Sequence, residues 1–126
     1  MESKKETILH DGTKRTSFFD KEGFYHKEDG PAVVYSHGLE EWFTHGIRHR
    51  DDGPALFSST FQEWYQKGIH HRMNGPAVIT YNSFGEIKSQ SFYLYGTQKT
   101  PKAWGQHTGH KVCYKCNDFC HQRCGK

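Results

Sequence analysis

Cysteine is absent from the first 112 of the 126 residues, and no apolar run approaches the length that spans a bilayer. The opening residues, Met1 to Glu6, lack the apolar stretch of a signal peptide. A cytoplasmic protein with no membrane partner is the expectation, and there cysteines are more often metal ligands or free thiols than disulfides. Hydrophobic residues are scarce at 33%, yet 15% of the chain is aromatic, which points to a thin structure buried mainly by large rings. A surplus of one charge is also missing from most of the chain. Residues 1–101 carry 12 Lys/Arg against 13 Asp/Glu, whereas residues 102–126 carry 5 against 1. A nearly neutral body gives little electrostatic attraction to anionic lipid, while a basic tail can favour nucleic acid or an acidic partner. No glycine-rich phosphate loop, serine-nucleophile motif or His-Glu-x-x-His is present.

What is present is a block that recurs three times. Gly23, His26, Gly30, Pro31 and Ala32 are matched by Gly46, His49, Gly53, Pro54 and Ala55, and again by Gly68, His71, Gly75, Pro76 and Ala77. The spacing is 23 residues, then 22, the signature of a repeat architecture. Between blocks, short segments rich in β-branched and aromatic residues flank polar, glycine-containing turns, as in β-hairpins. Trp42, Trp64 and Phe92 each lie four residues before a glycine: Gly46, Gly68 and Gly96. A degenerate first unit has Asp11-Gly12 as its turn and Phe18-Phe19 ahead of Gly23. Gly46 and its equivalents are expected at positive φ, and Pro31, Pro54 and Pro76 each open a strand.

The pattern Trp-x3-Gly-x2-His-Arg-x2-Gly-Pro-Ala is met by Trp42, Gly46, His49, Arg50, Gly53, Pro54 and Ala55, and by Trp64, Gly68, His71, Arg72, Gly75, Pro76 and Ala77. It resembles MORN repeats, most closely the variant seen in phage and giant-virus proteins. The resemblance covers roughly residues 9–99 and implies a mainly β fold: an elongated antiparallel meander of about four hairpins. On this reading residues 1–8 are an N-terminal arm and residues 100–126 a Cys/His-rich basic tail, zinc-bound or helical. The resemblance also implies scaffolding or protein binding, and its viral setting a modulator or inhibitor of a host protein.

The repeated polar residues carry two readings. His26, His49 and His71, with Lys27, Arg50 and Arg72 beside them, form either a binding row or a structural ladder. In the ladder each His bonds a turn carbonyl or stacks on a Trp, and each Arg pairs with a neighbouring carboxylate. Catalysis needs one convergent constellation, whereas a ladder needs the same contact in every unit, so repetition favours structure.

All four cysteines, Cys113, Cys116, Cys120 and Cys124, fall within twelve residues, with His110 and His121 close by as alternative ligands. That donor set suits one tetrahedral zinc. The steps of 3, 4 and 4 equally describe a stripe down one helical face. Upstream, Thr100-Pro101 reads as a helix start, with Thr as cap and Pro at the first position. The functional expectation is a non-enzymatic protein-interaction module docking through Trp42, Trp64, Arg50 and Arg72, its partner a host protein. The alternatives are nucleic-acid binding through the tail and a small nuclease-like enzyme pairing His49 with Glu41 or Glu63. An open-edged meander also invites a homodimer by edge pairing.

Overall fold

The computed structural model describes residues 3–110 and the backbone of Val112–Cys113 and Asp118–Phe119. The chain runs through β1 (Ser3–Ile8), β2 (Lys14–Phe19), β3 (Val33–Tyr35), β4 (Glu40–Glu41), β5 (Phe43–Thr44) and β6 (Ile47–Arg48). It continues through β7 (Leu56–Phe57), β8 (Phe61–Glu63), β9 (Tyr65–Gln66), β10 (Ile69–His70), β11 (Val78–Tyr81), β12 (Ile87–Leu94) and β13 (Thr97–Lys99). The helix α1 (Pro101–Thr108) follows, and then β14 (Val112–Cys113) and β15 (Asp118–Phe119). Nine strands form one antiparallel sheet in the order β1-β2-β3-β4-β7-β8-β11-β12-β13. The expected mainly β hairpin array is thus the observed fold. Four long hairpins, β1–β2, β3–β4, β7–β8 and β11–β12, alternate with the small arms β5–β6 and β9–β10. Residues 3–8, expected as an arm ahead of the array, are instead its first strand, paired with β2 from Ser3↔Phe19 to Ile8↔Lys14.

Each unit is built the same way. The strand-opening alanine exchanges main-chain bonds with its own hairpin and with the preceding aromatic. Ala32, Ala55 and Ala77 donate to Glu41, Glu63 and Ser91, and accept from Phe18, Trp42 and Trp64 at 2.7 Å. All three alanines are fully buried. Little else is: the sheet has one layer, and its buried apolar cluster lies at one end, where Phe92 and Leu94 meet Trp104 of α1.

That helix starts as the sequence predicts. Thr100 caps it, accepting from Ala103 N at 3.1 Å, and Pro101 holds the first position. Gly109, at φ 83°, ends it by donating to Gly105 O. Val112–Cys113 pairs antiparallel with Asp118–Phe119, so Cys113 sits on a strand, and the helical-face reading is corrected there. Among the described residues no helix is long and apolar enough to cross a membrane.

Candidate functional site

The repeated block folds into a turn with a clasp behind it. His45-Gly46, Lys67-Gly68 and Tyr95-Gly96 have both residues at positive φ (46°/82°, 51°/86° and 51°/84°), the geometry of a two-residue type I′ turn. Such a turn leaves its central N–H groups pointing outward, and here both are donated to the preceding unit. The glycine N–H groups bond Tyr25, Arg48 and His70 carbonyls at 2.7–2.8 Å. The residues before them, His45, Lys67 and Tyr95, donate to Nδ1 of His26, His49 and His71 at 3.0, 2.9 and 2.9 Å. The repeat histidines therefore accept turn N–H groups rather than bonding turn carbonyls. This role fixes their tautomer, because Nδ1 must carry a lone pair. Nε2 then donates, to Glu28 from His26 and to Asp51 from His49. His71 has its pKa held below the ordinary value by burial and, secondarily, by the charge of His107.

The residue after each histidine is a cation lying on a ring. Lys27 Nζ sits 4.0 Å from the Phe18 centroid, Arg50 Cζ 3.8 Å from Trp42, and Arg72 Cζ 3.7 Å from Trp64. Each arginine also donates to the carbonyl of its own block's proline, Pro54 at 3.1 Å and Pro76 at 3.0 Å. Arg50 meets the expected carboxylate, Asp52, at 3.1 Å, whereas Asn74 stands at the equivalent place beside Arg72. Burial lowers the Arg72 pKa. The four predicted interaction residues thus form two intramolecular stacks, each lining a groove. Trp64 and Arg72 line one of about 440 Å³ together with Asp51 and Asp52. Trp42 and Arg50 line its repeat equivalent of about 390 Å³, together with Glu28 and Asp29.

On the other sheet face the rings run in a continuous ribbon. Phe19 stacks on Tyr25, and Tyr25 meets Phe43 at a tilt, both at 5.2 Å; Arg48 lies over Phe43 and Tyr65; His70 bridges Tyr65 and Tyr93. Glu41 binds Arg48 at 2.6 Å, and Glu63 accepts from His70 at 2.9 Å and from Tyr65 at 3.1 Å. Burial, and then the Glu63 charge, raises the Tyr65 pKa. The nuclease-like pairing of His49 with Glu41 or Glu63 is not formed, because both carboxylates serve this ribbon while His49 serves a clasp.

Two features depart from the repeat. At the first turn, Asp20 Oδ1 accepts from Glu22 and Phe24 N–H, and Oδ2 accepts from His45 Nδ1 at 2.7 Å. The His45 bond, opposed by burial and aided by the two amides, lowers the Asp20 pKa. His45 also stacks on His26, with centroids 3.9 Å apart. At the fourth hairpin, Asn82 Oδ1 accepts from Phe84 and Glu86 N–H while Nδ2 donates to Glu86 Oε1. This fixed turn holds Phe84 86% exposed, with Ile87 also exposed beside it. The sequence marks this return as longer than the others; Asp20 gives no such signal, because a lone Asp ahead of Lys21, Glu22 and Gly23 reads as an ordinary turn former.

Of the predicted zinc ligands, Cys116, Cys120, Cys124 and His121 lie outside the described residues. Cys113 is placed by its backbone on β14, and the His110 ring stacks on Trp104 at 5.1 Å. Among the described residues no three His, Cys, Asp or Glu converge as a metal site. No protein-family model, curated protein or solved structure matches this chain.

Proposed function

We propose that the protein is a non-enzymatic protein-interaction module, a MORN-like scaffold whose repeated residues build the array and whose departures from the repeat meet the partner. The observation that carries this reading is Phe84: a ring 86% exposed on a turn braced by Asn82, in the hairpin whose return is longer than the others. A pre-organised aromatic anchor loses little entropy on binding and is typical of the residues that dominate interface energy. Ile87 supplies adjoining apolar area. The repeat histidines and arginines support the reading by subtraction, since clasps and stacks occupy the groups an enzyme would need. A phage-encoded modulator or inhibitor of a host protein is the setting the repeat variant suggests. The test is affinity capture from host lysate with the full chain and Phe84→Ser. The variant should melt as the wild type does and lose the captured protein. A capture that Phe84→Ser leaves intact, but that nuclease or raised salt abolishes, turns the assignment to nucleic acid bound by the basic tail.

The tail is proposed to hold one zinc through Cys113, Cys116, Cys120 and Cys124, a thiolate set that suits tetrahedral coordination. Metal analysis of reduced, chelator-free protein should find one zinc per chain, and a metal-free protein would remove this part of the reading.

A further inference from the structure

The antiparallel register of the first hairpin decides which main-chain groups of β1 are in use. Leu9 N donates to Thr13 O, so Leu9 and Thr13 are a hydrogen-bonded pair. Such pairs alternate along an antiparallel ladder. Thr7, Lys5 and Ser3, opposite Arg15, Ser17 and Phe19, therefore turn their N–H and C=O toward β2. Lys4, Glu6 and Ile8 turn theirs outward. The next ladder agrees: Phe18 N donates to Ala32 O and Lys14 O accepts from Ser36 N, so the even residues of β2 serve β3. Among the described residues none pairs with the outer side of β1. At the sheet's opposite edge, β13 is only three residues long and runs into α1, which packs against β12 and β13. Among the described residues the sheet thus has one long open edge.

We propose that this edge is the interface of a two-fold dimer, β1 pairing antiparallel with β1 of a second copy and Glu6 lying at the axis. In that register Glu6 faces Glu6 of the second copy and Lys4 faces its Ile8. Every outward-facing residue of the strand then exchanges N–H and C=O with a partner. The side chains agree with the register. Glu6 already lies between Lys4, at 3.5 Å, and Lys14, at 3.2 Å, so the two carboxylates at the axis sit among lysines of both copies. Ile8, one of the most exposed large apolar side chains, gains the aliphatic stem of Lys4 across the interface. Lys5, whose charge would otherwise discourage edge pairing, faces Thr7 rather than another lysine. One open edge closes on itself through an isologous contact and stops there, giving a dimer and not a fibre. This inference does not rest on the Phe84 surface, which lies at a hairpin turn far along the sheet order.

Sedimentation equilibrium and amide exchange on the full chain test it together. The wild type should dimerise, with the amides of Lys4, Glu6 and Ile8 protected only at concentrations where the dimer forms, and those of Lys5 and Thr7 protected throughout. Glu6→Pro removes the N–H at the axis without touching the β1–β2 bonds and should abolish the dimer. Glu6→Lys leaves the backbone intact but removes the carboxylates that Lys4 and Lys14 of both copies surround, leaving only cations at the axis, and should weaken the dimer by at least about tenfold. A wild type that stays monomeric at NMR concentrations, a dimer with the three outer amides unprotected, or a dimer surviving both substitutions overturns the proposal. The first of these outcomes would leave the edge to a strand of a different protein, or to none.

Discussion

At residue scale, the glycine of each Gly-Pro-Ala step is explained by space and not by backbone freedom. A turn-forming Asp-Gly-Pro suggests a permissive φ, yet Gly53 and Gly75 do not adopt positive φ. A Cβ on Gly53 would lie 2.7 Å from Arg50 Cζ, and one on Gly75 2.9 Å from Arg72 Cζ. The glycine leaves room for the guanidinium to lie on the tryptophan. At Gly30 the same test finds Lys27 no closer than 3.6 Å, because a lysine stem is slimmer than a guanidinium plane. Gly53→Ala should therefore push Arg50 off Trp42 and destabilise by about 1–2 kcal/mol, the scale of a partly desolvated cation–π contact. Gly30→Ala should cost clearly less. In an Arg50→Ala background the Gly53→Ala penalty should nearly vanish, giving a coupling that urea titrations of the double-mutant cycle measure directly. Equal penalties with and without Arg50 would assign the glycine to the backbone after all.

At the scale of the element, the unit of construction is the type I′ turn together with the imidazole behind it. Protonation at Nδ1 would put a donor against the turn N–H and break the clasp, so each repeat histidine serves only while neutral. For His71 the folded pKa lies below its unfolded value of about 6.5. The sign follows from linkage: the unfolded chain takes up the proton first, so this stabilisation is complete above about pH 6.5 and is lost as pH falls toward the lower folded value. Thermal melts should show stability declining as pH falls below about 6.5, and less steeply in His71→Asn, whose side chain does not titrate. A pH profile that the substitution leaves unchanged would detach His71 from the acid response. Much of this unit is legible in the sequence. Period, hairpins and positive-φ glycines follow from local residue preferences, which the fold obeys, whereas Pro31, Pro54 and Pro76 lie two residues ahead of β3, β7 and β11 rather than opening them. The destination of each histidine is not legible, since its partner is a main-chain N–H 18–24 residues away and carries no side-chain signature. The arginine stacks are half legible. Trp and Arg repeat in step, but the spacing does not say whether the cation meets the ring of its own array or that of another protein.

At the scale of the whole molecule, a repeat array must end, and each end replaces a missing neighbour with a different device. The turns at His45, Lys67 and Tyr95 donate backward to a preceding unit. Among the described residues the Gly23 turn has no such unit to donate to, and Asp20 takes the N–H groups of Glu22 and Phe24 on its own carboxylate. At the other end Phe92 holds the tryptophan position but no arginine follows it; Trp104 of α1 covers its ring at 4.7 Å instead. The Trp104 indole donates to Arg72 O at 3.0 Å, the duty Gln66 performs for Arg50 O at 2.8 Å one unit earlier. Units of such an array are stabilised by their neighbours, so losing a cap should act first on the adjacent unit. Trp104→Ala removes a fully buried ring and should cost about 3–5 kcal/mol, a large share of the stability of a chain this size. Trp104→Phe keeps a ring on Phe92 and leaves Arg72 O without its donor, so its cost should be nearer about 1–3 kcal/mol. Hydrogen exchange separates a cap from an ordinary core residue. In both variants protection should fall most in β12 and β13, less in β8 and β11, and least in β1 and β2. A uniform loss across all nine strands would mean that the sheet unfolds as one cooperative body and that α1 is part of its core rather than its end.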